Sequence, residues 1–210
     1  IETNIAWKKN NKIKIYKSLQ NTNVKNKSYS EYQSKKILKR YGIKIPQALL
    51  TNSKNAIKDS KKIKFPLVMK INSSEISHKS EVKGVFTNIL TSEKIKECTK
   101  HLSKITPAIL MEKMITDTIA ELIIGIKIDN QFGPVMIIGA GGIYTELFRD
   151  TVTLLTPINR NQVLAAINNL KISKIIKGYR GKDKGDMQEL VSTIIKISKF
   201  AEKNVNKITE

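Results

Sequence analysis

Hydrophobic and polar positions follow two periods along this chain. In Pro66-Leu-Val-Met-Lys-Ile71 the period is two, which predicts a strand with Leu67, Met69 and Ile71 on one face and Val68 and Lys70 on the other. The same period runs from Ala120 to Ile128. There Leu122, Ile124, Ile126 and Ile128 share one face, and Glu121, Gly125 and Lys127 the other. Short apolar runs at Val85–Leu90, Ala108–Met114 and Val135–Ile138 read as further strands, the last entering Gly139-Ala-Gly-Gly142. Ile43–Leu50 carries Pro46 and reads as an edge strand. Elsewhere the period is helical, as in Leu190, Val191, Ile194, Ile197 and Ala201. Ser30-Glu-Tyr-Gln33 and Asp186-Met-Gln-Glu189 have capping-box spacing and start two helices. The first ends near Tyr41, before Gly42. Helices are also expected over Ser53–Ile63, Ser92–Lys104 and Asn159–Leu170, and a long polar loop spans Asn72–Gly84. No repeat of fixed period is present. This order of elements predicts an α+β fold with strand hairpins rather than a βαβ series.

Composition narrows the function. Of 210 residues, 40% are hydrophobic, enough for a core. No apolar run approaches a membrane span of roughly 20 residues. A single Cys excludes a disulfide framework and a cysteine-rich metal site. The formal charge of +20 invites a nucleic-acid reading, but its basic residues are almost all Lys, spread along the whole chain. Arg, whose planar fork suits base edges and phosphates, occurs only at positions 40, 149, 160 and 180. A solvated Lys-rich surface accounts for the charge, and its field would draw an anionic substrate such as a nucleotide. Residues 1–29 are polar and free of Gly and Pro, and read as the tail of an upstream domain plus a linker. The chain opens on Ile1 and shows no signal-peptide pattern, so the expectation is a fragment or processed piece of a cytoplasmic protein.

Few residues carry chemistry. Lys70 stands inside an apolar strand, where an unpaired ammonium is costly. Either the strand is at an edge with Lys70 in water, or Lys70 is a cation for phosphate oxygens. The loop Ser73–Gly84 combines hydroxyls (Ser77 and Ser80 among them), His78, Lys79, Lys83 and Gly84, groups that can hold phosphate; it lacks Walker glycine spacing. His78 is either solvated or a nucleophile toward phosphorus. Glu112 and Glu121 lie on neighbouring predicted strands; they either pair with Lys or accept from ribose hydroxyls or an exocyclic amine. Gly139-Ala-Gly-Gly142 is either a tight turn or a place where backbone approaches a ligand. His101 and Cys98 fall in a helix with no evident role, and Met111, Met114 and Met136 read as core.

Taken in order, these segments resemble a known family. Phe65-Pro-Leu-Val-Met-Lys-Ile71 and Ile76-Ser-His-Lys-Ser-Glu-Val-Lys-Gly-Val85 are similar to a segment of the ATP-grasp domains of ADP-forming acyl-CoA synthetases. The similarity continues through Glu121-Leu-Ile-Ile-Gly125, Phe132-Gly-Pro134, Gly139-Ala-Gly-Gly-Ile143, Glu146, Arg149-Asp150, Pro157 and Lys177-Gly-Tyr-Arg-Gly181, covering about residues 30–210. The resemblance implies an ATP-grasp fold, two α+β lobes with mostly antiparallel sheets that clamp ATP or ADP. By that resemblance Lys70 contacts phosphates, Glu112, Lys113 and Met114 form a hinge strand at adenine, and Glu121 lies by sugar and phosphates. Gly139, Gly141 and Gly142 lie against the site; Ser77, Lys79, Ser80 and Gly84 belong to the phosphate loop; and His78 carries the phosphoryl group. CoA-ligase domains or an alpha subunit would complete the enzyme, of which acetate–CoA ligase is the expected subtype.

Two features depart from the family pattern. Lys83-Gly84 stands where many members have two glycines, which stiffens the loop or adds a phosphate contact. The chain ends at Glu210, before the family's Asp-x-Asn-Pro segment, so the expected magnesium ligands lie beyond it. Residues 1–20 resemble the tail that precedes this domain in fused synthetases. The other readings are a degenerate ATP-grasp domain in a fused protein acetyltransferase, a carboxylate–amine ligase, which would not need His78, and a basic nucleic-acid module, which would bind DNA with a steep salt dependence.

Overall fold

A computed structural model describes residues 28–76, 78–142 and 150–208. The tail and linker expected over residues 1–29 fall almost wholly outside the described residues, as do Ser77, Ile143, Glu146 and Arg149. The chain divides at Thr118/Ile119 into two compact units.

The first unit begins with α1 (Glu31–Arg40), and the predicted capping box is present. Ser30 Oγ accepts from the Gln33 amide, and the Gln33 side chain accepts from the Ser30 amide. The helix stops where Gly42 takes φ 75°. There follow β1 (Ala48–Thr51), α2 (Ala56–Ser60), β2 (Leu67–Ile71), β3 (Val85–Ile89), α3 (Ser92–Leu102) and β4 (Ile109–Lys113). The strands form an antiparallel sheet in the order β1-β4-β2-β3. Strand β1 is at an edge, as Pro46 predicts, although Pro46 itself precedes the strand.

The sheet has two unlike faces. Leu67, Met69 and Ile71 of β2 and Ile109 and Met111 of β4 pack with Ala56 of α2 and with Ile95, Cys98 and Leu102 of α3 into a dry core. The opposite face carries Val68 and Lys70 on β2 and Leu110 and Glu112 on β4. Register sets Val68 opposite Glu112 and Lys70 opposite Leu110, so Lys70 and Glu112 are diagonal neighbours. Helix α1, which has no fully buried residue, supplies polar side chains to this second face.

In the second unit β5 (Leu122–Asp129), β6 (Gly133–Ala140) and β7 (Thr151–Leu155) make an antiparallel meander, followed by α4 (Arg160–Asn169), α5 (Ser173–Ile176) and α6 (Met187–Lys203). Met136 and Ile138 are wholly buried against Val163 and Ile167 of α4 and Val191 and Ile194 of α6. Leu122, Ile124 and Ile126 pack at the margin, as their shared face predicts. Asn159 and Gln162 form a capping box on α4, and Asp186 accepts from the Glu189 amide at α6.

Strand β7 and the short helix α5 were not expected, and Gly139 is corrected: it is a strand residue paired with Ile123 and Thr151, not part of a turn. A Cβ there would lie 2.6 Å from Thr151 Cγ2 and 2.7 Å from the Asp150 carbonyl oxygen. Glycine therefore lets β7 close against β6. Asp150 has a structural task too, accepting from the Lys171 and Ile172 amides. Among the described residues no helix is long and apolar enough to cross a membrane.

Candidate functional site

Five charged side chains converge on the polar face of the first unit. Glu31 and Lys35 lie one turn apart on α1 and are joined at 2.7 Å. Lys35 also reaches both carboxylate oxygens of Glu112 on β4, at 2.6 and 2.8 Å. Lys70 on β2 lies 2.7 Å from Glu31 and 3.1 Å from Glu112. Lys79, in the loop between β2 and β3, closes on the second oxygen of Glu31. Three ammonium groups and two carboxylates leave the group at +1.

Lys70 is thereby corrected in one respect. It sits on an interior strand between β4 and β3, not on an edge strand, and it is paired rather than simply solvated. Two carboxylates make a buried ammonium tolerable here. Burial lowers the Lys70 pKa, but the hydrogen bond from Lys70 to Glu31 and the charges of Glu31 and Glu112 outweigh it, so the net shift is upward from 10.5. Burial also pushes the Glu31 carboxyl up. The hydrogen bonds from Lys35, Lys70 and Lys79 win, and its pKa falls from 4.5 to about 2.

A depressed carboxylate pKa makes stability depend on acid. The Glu31 contribution is fully present above about pH 4.5 and is lost as pH falls through about 2. A shift of this size corresponds to something on the order of 3 kcal/mol. Thermal melts between pH 6 and pH 2 are expected to show this loss, and Glu31→Gln is expected to remove that part of the slope; a variant with the wild-type acid profile would refute the assignment.

Glu31, Lys70 and Lys79 line an open cavity of about 440 Å³ together with His78, Ser80, Glu81 and Val85. The imidazole of His78 is 78% exposed, and its Nδ1 lies 3.7 Å from a Glu81 carboxylate oxygen. The structure thus brings together Lys70, His78, Lys79 and Ser80 of the predicted set. The loop closes on itself in consecutive turns. The Glu81 amide donates to His78 O, the Lys83 amide to Ser80 O and the Gly84 amide to Lys79 O, so these three amides are already engaged. Gly84 is buried for a packing reason: a Cβ would meet Ile71 Cδ1 at 2.7 Å and Lys79 O at 2.9 Å.

Lys83 takes φ 52°, a conformation costly for a residue with a side chain. Lys83 lines an adjoining cavity, of about 700 Å³, with Phe86, Glu97 and His101; the two cavities share Ser80 and Val85, and Lys83 is not among the residues lining that of Lys70. His101 packs edge-on against Phe86 with ring centres 5.4 Å apart.

The strand expected at adenine is more occupied than its sequence shows. Glu112 is 3% exposed and its carboxylate is taken by Lys35 and Lys70. The Lys113 amide donates to Gln47 O and the Met114 amide to Pro66 O, while the Met114 sulfur accepts from the Asn88 amide. In the second unit Glu121 O accepts from the Gly141 amide, and a Cβ on Gly142, at φ 73°, would lie 2.4 Å from a Glu121 carboxylate oxygen. Glu121 and these glycines are therefore neighbours within that unit.

Glu31 and Lys35 were not singled out from the sequence. Their spacing reads as an ordinary surface pair on a capped helix; only the Lys35–Glu112 and Lys70–Glu31 contacts, 77 and 39 residues apart, reveal their place.

Comparison with known proteins gives a consistent answer. Residues 20–210 match the family described as "ATP-grasp domain". The chain is 33% identical over 180 residues to 4-hydroxybutyrate–CoA ligase [ADP-forming] of Nitrosopumilus maritimus, an alignment covering 81% of this chain and 26% of that protein. It therefore spans about a quarter of the length of that relative. Over 182 residues it is 32% identical to acetate–CoA ligase [ADP-forming] II subunit beta of Pyrococcus furiosus, covering 82% of this chain and 77% of that subunit. Among solved structures it resembles the dinucleotide forming acetyl-coenzyme A synthetase 1 of Ca. Korarchaeum cryptofilum in complex with coenzyme A, Ca-AMPCP and HgCl+. The TM-score is 0.77 at 30% identity, covering 85% of this chain and 82% of that one. The chain belongs to the ATP-grasp family, in the group formed by the ATP-grasp parts of ADP-forming CoA ligases.

Proposed function

We propose that this chain is the nucleotide-binding part of an ADP-forming acyl-CoA ligase of the acetate–CoA ligase type, passing a phosphoryl group between ATP or ADP and a histidine. The observation that carries the reading is the shared cavity of Lys70, Lys79 and His78: two cations and an imidazole converge within an ATP-grasp chain. Phosphoryl transfer asks chiefly for positioning and for neutralisation of charge on the phosphate oxygens. Lys70 and Lys79 supply positive charge at one wall. His78 is accessible enough to meet phosphorus.

In this reading Lys70, Lys79 and Ser80 contact phosphates, and Glu112, Lys113 and Met114 flank the base. Since the Glu112 carboxylate and the amides of Lys113 and Met114 are already paired, the base would have to use the remaining carbonyls and apolar surface there. Glu121, Gly139, Gly141 and Gly142 lie in the second unit, and their expected nucleotide roles are proposed for that unit by itself. CoA-binding domains or an alpha subunit would supply the acyl and CoA sites. The net reaction would be acyl-CoA + ADP + phosphate ⇌ acid + CoA + ATP.

A relative's solved structure holds Mg-AMPPCP, which raises the question of magnesium here. Glu31 and Glu112 fit an ion poorly, because both are taken by ammonium groups. Among the described residues no three His, Cys, Asp or Glu stand together as ligands. Calorimetry on the full chain is expected to show ATP and ADP binding well above adenosine; equal binding of adenosine would remove the phosphates from the recognition and with them this reading.

A further inference from the structure

Lys70 and Lys79, the two cations that face the cavity, both already hold an anion, and it is the same one. Glu31 gives one carboxylate oxygen to Lys70 at 2.7 Å and the other to Lys79. The two carboxylates of the group differ in situation. Glu112 is nearly sealed, its oxygens held by Lys35 and Lys70, and it does not line the cavity. Glu31 stands on the cavity wall, and its side chain is 24% exposed. Glu112 is thus a structural counter-ion, while Glu31 occupies the position an anionic ligand would take.

We propose that Glu31 is a resident anion of the phosphate site, which a nucleotide's phosphate must displace from Lys70 and Lys79 in order to bind. The proposal rests on the nucleotide reading given above and adds to it an internal competitor. Three features of the geometry support displacement over a fixed pair. An ammonium has three donors. Lys70 directs donors at Glu31 and Glu112, so it stays held by Glu112 at 3.1 Å when Glu31 leaves. Glu31 in turn keeps a partner on its own helix, because Lys35 lies 2.7 Å away and needs no movement of the sheet. Finally, the charge of the group fits an exchange: a phosphate and an ionised Glu31 cannot both sit between the same two ammonium groups without like-charge repulsion in a partly desolvated place. The carboxylate also spares the empty site an uncompensated cluster of three cations.

The consequence is specific to phosphate. Glu31→Gln keeps the side chain's size and removes its charge. On the full chain, calorimetry is expected to show ADP and inorganic tripolyphosphate binding at least about tenfold tighter to this variant than to wild type, while adenosine binds both alike; that factor corresponds to about 1.4 kcal/mol. Circular dichroism establishes that the variant is folded. A second measurement needs no variant. With a ¹³C-labelled Glu31 carboxyl followed by NMR, saturating tripolyphosphate is expected to raise its pKa from about 2 toward 4.5, since two ammonium partners are lost. If wild type binds ADP and tripolyphosphate but Glu31→Gln binds them no tighter, or if the carboxyl titrates unchanged at saturation, the competitor role is overturned and the nucleotide reading stands. If wild type binds neither compound, the nucleotide reading fails and takes the proposal with it.

Discussion

Lys70→Ala weakens ATP binding by more than tenfold, at least about 1.4 kcal/mol, in calorimetry on the full chain. Two physical facts set the direction. First, the group is a reliable cation. Its pKa is raised in the folded protein, so its contribution is complete below about 10.5 and is lost only as pH rises through the still higher folded value. Second, it supplies the group's surplus charge. Glu31, Glu112, Lys35, Lys70 and Lys79 together amount to +1, and without Lys70 the remaining four amount to zero. A polyphosphate then meets a neutral wall on which Glu31 is held by Lys35 and Lys79 alone. The fold survives the change, because the buried Glu112 keeps Lys35 at 2.6 Å. A thermal melt on the same sample confirms that survival, and an affinity equal to wild type in a folded variant would remove Lys70 from the phosphate site.

The pattern of side chains shows how far local sequence reaches. Period two placed Lys70 opposite Leu67, Met69 and Ile71, and the structure agrees, since those three are fully buried and Lys70 is not. What period two cannot supply is the neighbour on each side. Whether Lys70 meets water or a carboxylate depends on β4 inserting between β1 and β2, a pairing of strands some forty residues apart in the chain. The same holds for Glu31. Its capping box fixes where α1 starts, but only packing of α1 over the polar face brings it to Lys70 and Lys79. Short strands carry still less signal. Thr151–Leu155 alternates Thr with Val152 and Leu154, which do pack inward, yet five residues between glycines and a proline are easily passed over. Gly139 misleads for a related reason. A glycine cluster after a strand reads as a turn, whereas here the missing Cβ serves the approach of the next strand. The resemblance to ATP-grasp domains supplied what periodicity could not, because Lys70 stands on a strand while His78 and Lys79 stand in the following loop, which has no period and folds back onto the same cavity.

His78→Ala abolishes phosphohistidine formation at this chain in the complete enzyme while ATP binding stays within about threefold of wild type. The imidazole lines the cavity, but the Lys70 and Lys79 ammonium groups are held in place by Glu31, so its loss leaves the cationic wall intact. Glu81 lies 3.7 Å from Nδ1. That is too far for a good hydrogen bond, and a neutral imidazole carries one nitrogen lone pair. Attack of that lone pair on the terminal phosphorus of ATP would form an N–P bond as the bond from phosphorus to the bridging oxygen breaks, and ADP leaves with the electron pair. The charge of the phosphoryl group would be met by Lys70 and Lys79. Reaction with γ-³²P-ATP is expected to give wild type an acid-labile, base-stable label on this chain, and the variant none. The contrast with Lys70→Ala is the informative part: that variant loses nucleotide affinity and label together, whereas His78→Ala separates them. Full labelling of this chain in the His78 variant would leave Lys70 and Lys79 as a phosphate-binding wall with the phosphoryl acceptor elsewhere.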